Sequence, residues 1–144
     1  MRISSGDMNC PFLAFTGQPV AAAAASRSVW RQRMLTERGT FFGYNRLVTD
    51  FIGLGDMMAL GVPVCFDATH STQLPGGAGT ATSGRPDRCE GLARAAVAAG
   101  VQALFLECHP DPARSRSDAG TVQPLSAVPA LLAGLKRVRD AVQP

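Results

Sequence analysis

Three short polar clusters gather side chains that could do chemistry together: Glu37-Arg38, Asp67-Ala68-Thr69-His70 and Glu107-Cys108-His109, with Asp118 a little further on. One imidazole nitrogen and two carboxylate oxygens make a ligand set for a divalent ion, and His70, Glu107 and Asp118 are that set, drawn from separate segments. Arg38 adds a planar fork that matches phosphate or carboxylate. The same residues also suit structural duties. A histidine at a strand end commonly serves as a hydrogen-bonded structural group, Glu107 can anchor a loop, and Asp118 can be a turn residue ahead of Gly120. The glycine-rich stretch at residues 74–85 has two readings as well. It can cradle phosphate through backbone N–H groups with Ser83 and Arg85 helping, or it can be a flexible connector. It is neither a Walker A sequence nor a dinucleotide fingerprint.

The elements that must position these groups follow from pattern. Residues 63–66 and 101–106 are short apolar runs that end in polar residues, as buried strands of a parallel sheet do. A third strand is expected at 34–37. Residues 86–99 read as a helix: Pro86 suits its first turn, Asp87 and Glu90 favour its positive end, and Gly100 suits its C-cap. Cys89, Leu92, Ala93 and Ala96 recur at helical spacing. A last helix is expected over 126–142, N-capped by Ser126, with Val128, Leu131, Leu132, Leu135, Val138 and Val142 as its apolar stripe. A shorter one falls near 54–60, closed by Gly61. Strand–helix alternation predicts a parallel α/β architecture, either an open sheet or a piece of a (β/α)8 barrel. In both, chemistry gathers beyond the C-terminal ends of strands, so the polar clusters should share one rim.

Bulk properties bound the function. With 144 residues, a net charge of +3, and 46% apolar and 17% charged residues, the chain fits one soluble globular domain. Its basic residues are scattered, which argues against nucleic acid as a partner. No segment is apolar for long enough to span a bilayer. Cys10, Cys65, Cys89 and Cys108 form no CxxC pair. Cys65 and Cys108 read as small buried hydrophobes, and a reducing cytoplasm is the simplest setting. Residues 1–33 lack a sustained period and include a five-alanine run, so a weakly ordered lead-in is expected there and not a signal peptide.

Four motifs then resemble a known family in order. Leu35-Thr36-Glu37-Arg38-Gly39 leads to Phe42-Gly43-Tyr44-Asn45. Phe66-Asp67-Ala68-Thr69-His70-Ser71 leads to Gln73 and Pro75-Gly76-Gly77. Glu107-Cys108-His109-Pro110-Asp111-Pro112 follows, and Ser117-Asp118-Ala119 precedes Pro124-Leu125. Together they resemble the 3-deoxy-D-manno-octulosonate 8-phosphate synthases. The resemblance covers residues 34–142 and none of 1–33. It implies an α/β fold, a partial (β/α)8 TIM barrel made of the last three β/α units, with residues 34–144 as the C-terminal part of a synthase barrel. Arg46, Arg85 and Gly120 depart from the family's usual pattern.

What the resemblance implies about function is specific. The reaction is a transferase condensation of phosphoenolpyruvate with arabinose 5-phosphate, in lipopolysaccharide precursor synthesis in the cytoplasm. Arg38 would hold the phosphate side of phosphoenolpyruvate, and Gln73 and Ser83 would lie near the sugar phosphate. His70, Glu107 and Asp118 would be catalytic and would bind a divalent metal of unspecified identity, as in the metal-dependent branch. The full-length enzyme would be a homotetramer. The lysines and the Asn-Arg pair of the family's other half map onto nothing here, and Cys10 is not assigned as a ligand. The chain by itself is therefore expected not to turn over. The alternatives are an inactive remnant, a small metal- or phosphate-binding module, or a 3-deoxy-heptulosonate 7-phosphate synthase.

Overall fold

Apolar runs that are buried on both faces become adjacent parallel strands, and these strands are what place the polar clusters side by side. A computed structural model describes residues 2–4, 12–14, 34–78 and 81–142. In chain order the strands and helices are β1 (Arg2–Ser4), β2 (Phe12–Ala14), β3 (Leu35–Glu37), β4 (Phe41–Gly43), β5 (Arg46–Val48), α1 (Phe51–Ala59), β6 (Val64–Asp67), β7 (Gln73–Ala78), β8 (Ala81–Gly84), α2 (Cys89–Ala99), β9 (Ala103–Phe105), β10 (Cys108–His109), β11 (Gln123–Pro124) and α3 (Val128–Val142). The main sheet among the described residues has the order β1-β2-β9-β6-β3. Strands β3, β6 and β9 are mutually parallel, with Glu37 opposite Phe66 and Asp67 opposite Phe105. The fold is α/β with a parallel sheet, as the alternation predicts.

Helices cover this sheet because their small apolar faces fit it. Asp50 caps α1 by accepting from the backbone N–H groups of Ile52 and Gly53. Helix α2 ends at Gly100, whose φ of 101° is open to glycine at little cost. Val64, Phe66, Ala93, Ala96, Leu104 and Leu135 meet in one core with Leu54. Phe66 and Leu54 are fully buried. Each contributes about 1.5–3 kcal/mol of apolar transfer free energy. Among the described residues no helix is long and apolar enough to cross a membrane.

Several details correct the sequence expectations. Helix α1 starts at Phe51, three residues early, because Asp50 supplies a better cap than anything at position 54. Ser126 does not cap α3. It sits inside a 3-10 turn, Leu125–Ala127, that leads into the helix. Val142 at the end of the stripe is exposed, and Cys108 is only half-buried. The glycine-rich stretch is a hairpin, β7 with β8, where a loop is expected from composition. A second hairpin, β4 with β5, turns through Tyr44 and Asn45, both at positive φ, as the two central residues of a tight primed turn require. Two places within 1–33 are strands. Strand β1 pairs with β2, and β2 runs antiparallel to β9, a direction that a (β/α)8 barrel does not use. The rest of the expected lead-in lies outside the described residues.

Candidate metal and anion site

Strand β6 ends at Asp67, and the chain then tightens into the 3-10 turn His70–Thr72. The Asp67 carboxylate holds that turn. Its Oδ1 accepts from the backbone N–H groups of Thr69 and His70 at 3.0 and 2.8 Å. Its Oδ2 lies 2.6 Å from His70 Nδ1. With the proton on Nδ1, His70 turns Nε2 outward as a free lone pair, the arrangement that metal-ligating histidines use. The ring also stacks on Phe105 of the neighbouring strand β9, with centroids 5.6 Å apart.

Nε2 of His70 faces two carboxylates from different segments. Glu107 Oε2 is 3.9 Å away and Asp118 Oδ2 is 3.4 Å away. Glu107 follows β9, and its backbone N–H donates to Thr69 Oγ1 at 2.7 Å. That bond ties the two strand ends together through a residue with no exposed surface. Asp118 has φ 48°, a left-handed conformation uncommon for a residue with a side chain, although aspartate tolerates it better than most. Its carbonyl is held by the N–H groups of Thr121 and Val122 and by the Thr121 hydroxyl.

One donor atom from each of His70, Glu107 and Asp118 lies within 4.8 Å of the others. An ion with bonds of about 2.1 Å spans donors up to about 4.2 Å apart. Both distances from His70 fall inside that reach, and nitrogen with carboxylate oxygen suits Mn, Fe or Zn. The three residues can hold a divalent metal ion. Without one, the Asp67 hydrogen bond raises the His70 pKa above its usual 6.5, with smaller contributions from the three surrounding carboxylates. Burial opposes this. A cation is favoured here, whether a proton or a metal.

Arg38 and Gln73 complete the arrangement. Arg38 Nη2 donates to Gln73 Oε1 at 2.7 Å, and Gln73 Nε2 donates to Asp118 Oδ1 at 2.8 Å. Arg38, His70, Glu107 and Asp118 therefore gather on one rim, as the strand-end rule anticipates. Ser83 lies on β8, opposite Leu74 and with its backbone beside Gly120, and makes no hydrogen bond or ion pair with the triad among the described residues. Sequence reasoning missed the duties of Asp67 and Thr69. The signal was available for Asp67: a carboxylate three residues before a histidine, at the end of a buried strand.

Comparison with known proteins supplies the family. Curated relatives named 2-dehydro-3-deoxyphosphooctonate aldolase include one from Nitratidesulfovibrio vulgaris, 57% identical over 69% of this chain and 36% of its own length. One from Aromatoleum aromaticum is 54% identical over 76% of the chain and 39% of its length. One from Methylococcus capsulatus is 50% identical over 84% of the chain and 43% of its length. The chain thus spans about two fifths of the length of these relatives. Their name agrees with the resemblance read from the four motifs and does not favour the heptulosonate alternative. The family match begins at residue 14, so it takes in part of the segment that the motifs leave out. Matched over residues 14–143 by its model, the chain belongs to the DAHP synthetase I family.

Proposed function

We propose that the chain is the C-terminal part of a 3-deoxy-D-manno-octulosonate 8-phosphate synthase, contributing the last three β/α units of a (β/α)8 barrel. The observation that carries this reading is the convergence of His70, Glu107 and Asp118, with Nε2 turned outward by Asp67. The relatives' shared name supplies the reaction class.

In that reaction, carbon 3 of phosphoenolpyruvate attacks the aldehyde of arabinose 5-phosphate. Water adds at carbon 2, and the tetrahedral intermediate expels phosphate. Arg38 meets the phosphate of phosphoenolpyruvate as a charge-assisted donor. A divalent ion bound by His70, Glu107 and Asp118 would polarise the aldehyde or orient water. Asp67 keeps the imidazole in one tautomer, and Gln73 steadies Asp118. The sugar phosphate lies toward Gln73 and Ser83. The setting is cytoplasmic, and the whole enzyme is a homotetramer.

The test has two parts. Mn2+ binding to the purified chain, followed by electron paramagnetic resonance, should weaken by at least about tenfold in His70→Ala, the loss of one ligand. Unchanged binding would remove the metal-site assignment. Phosphate release from both substrates with added Mn2+ should stay at background. The substrates bring two phosphates and a carboxylate, whereas Arg38 is the cation joined to the triad's network among the described residues. Turnover that vanishes in His70→Ala would show that the chain supplies every catalytic group itself.

A further inference from the structure

Between α2 and α3 lies a cavity of about 360 Å³. None of Arg38, His70, Glu107 and Asp118 lines it. Its polar wall comes from Glu90 and Arg94 on α2, Arg137 on α3 and Gln123 on β11, and Val128 and Leu131 give it an apolar side. Gln123 is fixed in place, its Nε2 donating to the carbonyls of Pro86 and Thr121 at 3.1 and 3.3 Å.

A glycine brings the two arginines together. Gly134 is buried inside α3, where glycine is a poorer helix former than alanine. A Cβ at that position would stand 2.9 Å from Arg94 Nη2 and 3.8 Å from Arg137 Nη2. Both guanidinium groups therefore reach within 3.8 Å of one point just off the helix backbone, and Arg94 fills the space that a side chain at 134 would need. Their charges are only partly balanced. Glu90 Oε1 accepts from Arg94 Nε and Nη2 at 3.0 and 2.6 Å. Arg137 has no hydrogen-bond or ion-pair partner among the described residues, and Asp140, the one carboxylate of α3, is taken by Lys136. The wall thus holds two guanidinium groups against one carboxylate, a surplus of a single positive charge.

We infer that this cavity is a binding site for a small organic monocarboxylate with an apolar body. The carboxylate oxygens meet the forks of Arg94 and Arg137, the planar arrangement in which arginine recognises carboxylate. The apolar body lies against Val128 and Leu131. A surplus of one positive charge matches a monoanion. A phosphate monoester carries about two negative charges at neutral pH and would set the excess against the Glu90 carboxylate. Acetate would leave most of the volume empty, because cavities of this size hold small organic ligands. Glu90 holds Arg94 in place before the ligand arrives, so less rotamer freedom is lost on binding. The inference does not depend on which reaction the triad performs.

Fluorine NMR titration of the full chain with 4-fluorobenzoate, without metal, tests it. The probe should bind, and benzoate should displace it at lower concentration than acetate or phenyl phosphate does. Arg137→Gln should weaken the probe by about tenfold, since it removes a charge-assisted contact. Arg137 is exposed, so this variant should keep its fold, which circular dichroism checks. Gly134→Ala separates binding from packing. The added carbon meets only the far ends of the Arg94 and Arg137 side chains, and alanine is the better helix former. Its melting temperature should hold or rise while its affinity falls by about tenfold, because the Arg94 guanidinium is pushed aside. Arg38→Gln should leave the affinity unchanged. Absence of binding, displacement by phenyl phosphate ahead of benzoate, undiminished affinity in Arg137→Gln or Gly134→Ala, or loss that follows Arg38→Gln would each overturn the assignment.

Discussion

His70 Nδ1 lies 2.6 Å from Asp67 Oδ2, and the same carboxylate also accepts the His70 backbone N–H. One residue therefore fixes both the backbone turn and the ring tautomer of the histidine that faces Glu107 and Asp118. The two duties separate chemically. Oδ1 serves the backbone, and Oδ2 serves the ring.

That separation makes Asp67→Asn informative. The amide oxygen can still accept the backbone N–H groups, so the turn should persist and the melting temperature should change little. The amide nitrogen now faces Nδ1 as a donor, which moves the ring proton to Nε2 and blocks the ligand. Mn2+ affinity, measured by paramagnetic resonance, should fall about 10- to 100-fold. Unchanged affinity would mean that Asp67 serves the backbone alone.

Gln73 bridges Arg38 and Asp118 and is itself buried. Gln73→Ala should cost about 1–3 kcal/mol in urea unfolding, because two hydrogen bonds go and their partners lose compensation. Asp118 then loses one of its restraints, and metal affinity should drop by roughly tenfold. A variant with full stability and full metal affinity would show the bridge to be idle.

Packing around the Asp118 turn predicts an asymmetry between two glycines. A Cβ at Gly84 would stand 2.2 Å from Thr121 Cγ2 and 2.9 Å from the Gly120 carbonyl. Gly84→Ala should destabilise by about 1–3 kcal/mol through overpacking. Gly55 in helix α1 has nothing within 4 Å of the added carbon. Gly55→Ala should stabilise by about 0.5–1 kcal/mol through helix propensity and reduced chain entropy. Thermal melts of the two variants should move in opposite directions.

Burial pushes the thiols of Cys65 and Cys89 up to about 12 from a usual 9.0, with nearby carboxylates adding to the effect. Neither should react with a thiol reagent at pH 8 until the chain unfolds, because the thiolate is the reactive form. The folded state keeps these protons more tightly than the unfolded one. Their contribution to stability is therefore intact below pH 9 and is lost as pH rises toward 12. Denaturant midpoints measured from pH 8 to 11 should fall accordingly.

The sequence by itself determined the parallel strands, the three helices and the residues on the rim. Apolar runs such as 63–66 and 101–106 must be buried, and the polar residues that end them are carried to one edge by strand direction alone. The glycine stop placed the C-terminal end of α2 to the residue, whereas its start is Cys89, three residues later than expected, because Pro86–Arg88 forms a 3-10 turn. Local pattern did less well where pairing partners decide the outcome. The stretch 74–85 reads as a loop from its glycines, yet it is a hairpin because β8 meets β7. Strands β1 and β2 carry no period of their own and exist through pairing, β2 against β9. Only the tertiary structure revealed that Asp67 orients His70, that Thr69 links two strand ends, and that Gln73 joins Arg38 to Asp118. Those are hydrogen bonds between residues up to 45 positions apart. Sequence spacing fixes which face a side chain takes within an element, but distances between elements depend on how the core packs.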